Sequence, residues 1–138
     1  MDKILVVDFG SQYTHLIAKN IRKLNVYCEI TPYTNLPDDL SLVKGVILSG
    51  SPHSVIDNKY PAVDLGLFGD IPILGICYGC QMIARQLGEI IVKSSHREFG
   101  EHLIEIQGDL LGVKDKHLNV WMSHNDTIMS ETHLDVLA

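Results

Sequence analysis

The sequence lacks several features that would place it in a specialised class of protein. It has no basic excess, because 11 lysines and arginines stand against 17 aspartates and glutamates, giving a formal net charge of −6. This balance argues against a general binder of nucleic acid or of anionic membranes. No apolar run approaches the roughly 20 residues that a membrane helix needs. Internal repeats and low-complexity tracts are also absent, and 138 residues suit one domain.

Cysteine is scarce as well. The chain has three, Cys28, Cys77 and Cys80, an odd count without the spacing of a disulfide framework. Such a count is typical of free thiols in a reducing compartment. The opening stretch MDKILVVDFG carries an acid at its second position and only a short apolar run. It predicts a first β-strand rather than a signal peptide, so we expect a cytoplasmic protein.

Continuous apolar, β-branched runs predict strands that are buried on both faces, as in parallel sheets. The runs are KILVVDFG, NVYCEITPY, GVILSG and IPILGICYG. Apolar residues at helical spacing predict one helix in 11–24, with Ser11 as its N-cap, and a second helix in CQMIARQLG, with Gly88 ending it as a C-cap. The stretch LPDDLSLVK predicts a turn and a short helix.

The last third of the chain has a different pattern. EIIVKSS and HREFGEHLIEI alternate like antiparallel strands or a hairpin, and VWMSHNDTIM predicts a strand with a polar turn at 123–126. ETHLDVLA at the end resembles the start of another strand. The fold class predicted is α/β, with a mostly parallel, doubly wound, flavodoxin-like sheet and a small antiparallel addition.

The stretch Gly75-Ile76-Cys77-Tyr78-Gly79 has the pattern G-x-C-x-G between a predicted strand and a predicted helix. This is the cysteine form of a nucleophile elbow. The nucleophile occupies the apex of a strained turn, and glycine on both sides removes the clash that a larger residue would cause. The elbow predicts a sulfur presented above the carboxyl end of the sheet, where doubly wound folds place their sites.

Four further expectations accompany that geometry. At a helix N-terminus the pKa of Cys77 should fall below its usual value of about 8.5. The backbone N–H of Tyr78 should point at the oxyanion that forms when the sulfur attacks a carbonyl. Gln81 falls on the same helix face as Cys77 and could orient a polar substrate. The turn at Gly50 and Ser51 could bring a second backbone donor close to the ligand.

Other interpretations of the same residues compete with the elbow. Cys77 and Cys80 form a CxxC pair, which a thiol-disulfide enzyme would also place at a helix N-terminus. Such a pair does not require the two flanking glycines. A zinc site lacks a second CxxC or a suitably spaced histidine pair, so we expect no metal. The cysteines could also be core residues, which is the interpretation we favour for Cys28 in its apolar strand.

Five stretches of the chain resemble the class I (triad-type) glutamine amidotransferase domain of the GMP synthetases. They are DFGSQYTHLIAKNIR, GVILSGSPHSV, PILGICYGCQMIARQLG, REFG and VWMSHND. The elbow alone is similar to the whole amidotransferase superfamily. The resemblance is narrowed to the GMP synthetase branch by three motifs, DFGSQYT, REFG and WMSH. It extends from residue 4 to near the end of the chain.

The resemblance implies a domain that hydrolyses glutamine to glutamate and ammonia. The ammonia would pass to an ATP-pyrophosphatase (synthetase) domain or subunit, which converts XMP to GMP using ATP and Mg²⁺; no cofactor would bind in the present domain. Cys77 would form a glutamyl thioester, and backbone at Gly50 and Tyr78 would form the oxyanion hole. Gln81, Gly50 and Ser51 would hold the substrate, and Gly75 and Gly79 would flank the elbow.

The chain also departs from the family pattern. Ser51 and Asn125 stand where the family usually has glycine, and Cys80 stands where it usually has methionine. The base of the family is a histidine oriented by a glutamate, in an HPE motif after WMSH, and residues 1–138 do not contain it. We therefore expect a partial glutaminase domain without the synthetase domain, weakly active or inactive in isolation. A non-catalytic amidotransferase-like binding or regulatory module is the alternative, and His124 is expected to be structural or to contact the partner.

Overall fold

The computed structural model describes residues 1–109, 111–129 and 135, with their side chains except those of His96 and Arg97. The strand expected in ETHLDVLA therefore lies outside the described residues, apart from position 135. The elements, in chain order, are β1 (Lys3–Asp8), α1 (Thr14–Lys23), β2 (Cys28–Pro32), β3 (Val43–Leu48), a 3₁₀ turn (Leu65–Phe68), β4 (Ile73–Gly75), α2 (Tyr78–Gln86), β5 (Ile91–Glu105) and β6 (His117–Ile128).

Four strands form a parallel sheet in the order β2-β1-β3-β4. Strand β1 is central, with Ile4 opposite Cys28 of β2 and Val6 opposite Ile47 of β3. Parallel strands with crossovers on both sides require apolar residues on both faces, and β1 provides them because Leu5, Val6 and Val7 are all buried. The α/β class with a mostly parallel sheet, predicted from these apolar runs, is confirmed.

The two helices cover opposite faces of the parallel sheet. Ala18 of α1 packs with Val6 and Cys28 on one face. Met82 of α2 packs with the cluster that contains Leu5, on the other face. This arrangement leaves the carboxyl ends of β1, β3 and β4 at one edge. The order of the strands reverses between β1 and β3, the place where open α/β sheets bind ligands.

Strands β5 and β6 form a separate antiparallel ribbon. The predicted antiparallel addition is thus present, but two details of its prediction are wrong. β5 is one strand of 15 residues rather than a hairpin or two strands. Residues 123–126 lie inside β6 rather than in a turn, because cross-strand partners such as Phe99, opposite Ser123, supply the pairing.

Two other local predictions are also wrong. LPDDLSLVK contains no helix; instead the Asp39 carboxylate accepts a hydrogen bond from the Ser41 N–H (2.9 Å), which holds a turn. Helix α1 begins after an N-cap at Tyr13, and the Ser11 hydroxyl accepts from the Tyr13 N–H (3.1 Å) just before the helix. No helix in the described part of the chain is long and apolar enough to span a membrane.

Candidate active site

Cys77 occupies the connection between β4 and α2 and serves as the N-cap residue of α2. Its backbone has φ 51° and ψ −111°, a combination that L-residues with a Cβ rarely adopt. The turn is closed on both sides, because Gly79 N–H donates to the Ile76 carbonyl (3.0 Å) and Gln81 N–H donates to the Cys77 carbonyl (3.1 Å). The chain therefore holds the cysteine in a strained bend at the carboxyl end of the sheet.

The two flanking glycines are required by close backbone contacts. A Cβ on Gly75 would lie 2.5 Å from the Cys80 nitrogen, and a Cβ on Gly79 would lie 2.4 Å from the Leu48 carbonyl oxygen. Both distances are far below any normal contact, and both neighbours are backbone atoms, which cannot rotate away. The glycines thus let α2 start directly against β3 and β4, which lifts Cys77 clear of the sheet.

The start of α2 is anchored by the Tyr78 side chain. This side chain is buried, and its hydroxyl donates a hydrogen bond to the Pro61 carbonyl. The Tyr78 ring also packs against Phe9, with centroids 5.6 Å apart. The anchor at the first helical residue leaves little freedom to the neighbouring Cys77.

Cys77 and Cys80 are exposed residues with free thiols, whereas Cys28 is buried. The prediction that Cys28 is a core residue is confirmed; its thiol faces the Ala18 carbonyl at 3.5 Å. The prediction of a lowered pKa at Cys77 is wrong. Partial burial raises the pKa of the Cys77 thiol, because burial disfavours the charged thiolate. A base is therefore needed to form the thiolate at neutral pH.

The two residues predicted to supply backbone donors, Tyr78 and Gly50, both lie beside Cys77. Tyr78 is the first residue of α2, and N–H groups in a first helical turn have no partner within the helix. Gly50 follows β3, and a Cβ placed on it would lie 3.8 Å from the Cys77 Cβ. Among described residues other than glycine, positive φ occurs at Asn25, Cys77 and Leu111, so Ser51 adopts an ordinary conformation without the strain of a left-handed serine.

The Gln81 side chain is hydrogen-bonded to the ribbon, a contact that could not be predicted from the sequence. Its side-chain N–H donates to the Asp126 carbonyl (3.0 Å). The Asp126 carboxylate is buried and accepts a hydrogen bond from the Ser54 hydroxyl (2.5 Å), while its Oδ1 has no hydrogen-bond partner among the described residues. Asp126 thus joins β6, α2 and the loop after β3. Ser54 and Asp126 are 72 positions apart, and no spacing rule could have paired them.

His124 lies on the ribbon and lines the same cavity as Cys77. Its Nε2 lies 2.8 Å from a Glu98 carboxylate oxygen, and its Nδ1 lies 3.1 Å from the Asp126 carbonyl oxygen. Each ring nitrogen therefore faces one of these oxygens, and neither is directed at the Cys77 thiol. His124 is therefore placed to hold the ribbon rather than to accept a proton from the cysteine.

Two cavities meet at Cys77. One, of about 430 Å³, is mostly polar and contains Gln81, Lys93, His124 and Asp126 along its walls. The other, of about 850 Å³, is more apolar and lies between the start of α1 and Trp121, with Gly50 in its wall. Cys77, Ser51, Pro52 and Ser123 line both. The sulfur can therefore be reached by a small polar molecule.

The chain is similar to known proteins along nearly its whole length. The profile of the family described as glutamine amidotransferase class-I matches residues 5–138. A GMP synthase (glutamine-hydrolysing) of Porphyromonas gingivalis is 50% identical over 134 residues, which are 94% of this chain and 26% of that protein. The corresponding protein of Cytophaga hutchinsonii is 49% identical over 93% of this chain. The chain thus spans about a quarter of the length of these curated relatives.

Solved structures agree with the fold. A protein from Thermoplasma acidophilum, described as a putative subunit of GMP synthase, superposes with a TM-score of 0.74 at 33% identity, covering 94% of this chain and 67% of that one. A glutamine amido transferase from Methylobacillus flagellatus superposes with a TM-score of 0.70 at 20% identity, covering 93% and 57%. The second likeness is one of fold alone.

Proposed function

Because this chain belongs to the glutamine amidotransferase class-I family, we propose that Cys77 hydrolyses glutamine to supply ammonia for GMP synthesis. The observation that carries the proposal is the position of Cys77. Its sulfur is exposed and free, at a backbone strained to φ 51° and flanked by two glycines that close contacts require. A structural cysteine in a core would need none of these features.

The reaction begins when the Cys77 thiolate attacks the amide carbon of glutamine. The carbonyl oxygen becomes an oxyanion, which accepts hydrogen bonds from the backbone N–H groups of Tyr78 and Gly50. The C–N bond then breaks, ammonia leaves with an added proton, and a glutamyl thioester remains until water cleaves it. Gln81 and the turn at Ser51 line the space around the sulfur and would hold the rest of the substrate.

This half of the overall reaction needs thiolate, protons and water, so we expect it to use no cofactor. The ammonia would be consumed by an ATP-pyrophosphatase domain or subunit, where ATP and Mg²⁺ activate XMP. The curated relatives are named GMP synthases and are about four times as long as this chain, which supports such a partner. All three cysteines are free, which is typical of a reducing compartment, and we place the protein in the cytoplasm.

Proton transfer should limit the rate of the 138-residue chain. Burial raises the pKa of the Cys77 thiol, and both nitrogens of His124 face other acceptors. General acid–base catalysis typically contributes about 10²–10⁴-fold. We therefore expect ammonia release from glutamine by residues 1–138 to be slower by about that factor than by a glutaminase whose cysteine has a histidine base beside it, measured with a coupled ammonia assay.

Covalent labelling tests the proposal without requiring turnover. A diazo-ketone analogue of glutamine should add once per chain, and peptide mass spectrometry should place it on Cys77. Cys77→Ser should abolish the label, whereas Cys28→Ser, the matched control in the core, should keep the pocket reactive if the variant is folded by circular dichroism. Label on Cys28 or Cys80 with Cys77 unmodified would overturn the proposal.

A further inference from the structure

Cys80 is exposed and belongs to the same turn of α2 as Cys77. Cys77 is the N-cap and Cys80 the third helical residue, and the hydrogen bond from Gln81 N–H to the Cys77 carbonyl (3.1 Å) closes the turn that contains both. Helix geometry places Cα atoms three residues apart at about 5 Å. That separation falls within the range of about 4.4–6.8 Å observed in disulfides.

The two thiols also influence one another. Burial raises the pKa of the Cys80 thiol, and the negative charge of a Cys77 thiolate raises it further. Both cysteines are free in this structure. The elbow as such needs no second cysteine.

We infer that Cys77 and Cys80 form a reversible disulfide when a hydroperoxide reaches the site, which switches the glutaminase off and protects its nucleophile. This inference rests on the proposed function of Cys77. The cavities that admit glutamine to the sulfur also admit a molecule as small as hydrogen peroxide. Oxidised Cys77 cannot attack an amide, so ammonia release would stop until a thiol reductant restores it.

The chemistry has two balanced steps. Hydroxide from a mildly alkaline buffer removes the Cys77 proton, and the thiolate attacks one peroxide oxygen. The O–O bond breaks, and hydroxide leaves and takes up a proton to form water; sulfur is oxidised to a sulfenic acid and the peroxide is reduced. The Cys80 thiolate then attacks the Cys77 sulfur, the S–O bond breaks, and a second water leaves. A dithiol such as dithiothreitol reverses the result by thiol–disulfide exchange.

The test oxidises the 138-residue chain with hydrogen peroxide, removes the excess with catalase and counts thiols with N-ethylmaleimide in denaturant. Oxidised chain should retain one of its three thiols, on Cys28. The peptide 60–85 should be lighter by two hydrogen atoms, and dithiothreitol should restore both thiols and the labelling of Cys77 by the diazo-ketone.

Cys80→Met, which removes the thiol but keeps a sulfur-containing apolar side chain, is the matched control, and Cys80→Ser is a second variant should methionine disturb packing. In both, Cys77 should proceed to sulfinic acid, and dithiothreitol should not restore labelling. Equal recovery in wild type and variants, or a disulfide that includes Cys28, would overturn the inference. If the unoxidised chain fails to label, the proposed function falls; if it labels but forms no disulfide, this inference alone falls.

Discussion

Gly79→Ala should damage both the stability and the reactivity of this protein. The new Cβ would lie 2.4 Å from the Leu48 carbonyl oxygen and 2.7 Å from the Leu48 Cβ. Normal contacts between such atoms are near 3.5 Å, so α2 would have to move away from β3 by about 1 Å. Leu48 cannot move instead, because it belongs to the inner strand β3 and its carbonyl already accepts a hydrogen bond from the Ile76 N–H (3.0 Å).

The magnitude follows from these contacts. Overpacking a core typically costs about 1–3 kcal/mol, and we expect about 3 kcal/mol because the obstructing atoms are backbone. In a domain of this size that loss corresponds to a fall in Tm of roughly 10 °C. A displacement of about 1 Å at a reactive group can lower the rate about 100-fold, so labelling of Cys77 should slow by that factor.

The assays are urea unfolding and the rate of diazo-ketone labelling. Gly45→Ala is the matched control, because its Cβ would lie 3.0 Å from the flexible end of the Ile4 side chain in the same sheet. It should cost about 1 kcal/mol or less and leave labelling unchanged. A Gly79→Ala variant that unfolds and labels like Gly45→Ala would refute the claim that close backbone contact builds the elbow.

Three other predictions concern the surroundings of Cys77. Ser54→Ala removes the donor to the buried Asp126 carboxylate and should cost about 2 kcal/mol in urea unfolding; a double-mutant cycle with Asp126→Asn that shows no coupling would contradict it. Gln81→Leu should raise the half-saturating analogue concentration about tenfold, the equivalent of one hydrogen bond, without changing the saturated rate. Because burial raises the pKa of the Cys77 thiol, the labelling rate should keep rising as the pH passes about 8.5, the pKa of an ordinary cysteine. A rate that reaches its plateau below about pH 7 would contradict this, because it would show that the thiolate is already formed.

The parallel sheet could be predicted because each of its strands corresponds to a short, continuous run of apolar residues. Leu5, Val6 and Val7 are apolar in succession, and only a strand buried on both faces requires that. The elbow was predictable for a similar reason, since close contact on both sides of Cys77 demands Gly75 and Gly79 within the same short stretch of chain.

Several of the wrong predictions concern structure decided by distant partners. Residues 123–126 are polar and look like a turn, yet they form a strand because β5 pairs with them. The hydrogen bond between Ser54 and Asp126 depends on how the ribbon lies against the sheet, which no local pattern encodes. The pKa of Cys77 was predicted from the helix N-terminus alone, and burial by surrounding residues reverses its direction.

The most direct test of the central claim is competition at a single sulfur. The rate of diazo-ketone labelling at Cys77 would be measured while the concentration of glutamine is raised. If the exposed sulfur at the elbow is where glutamine binds, L-glutamine should protect Cys77 in a saturable manner and D-glutamine should protect it far less. Labelling that both enantiomers leave unchanged, or slow equally, would contradict the account.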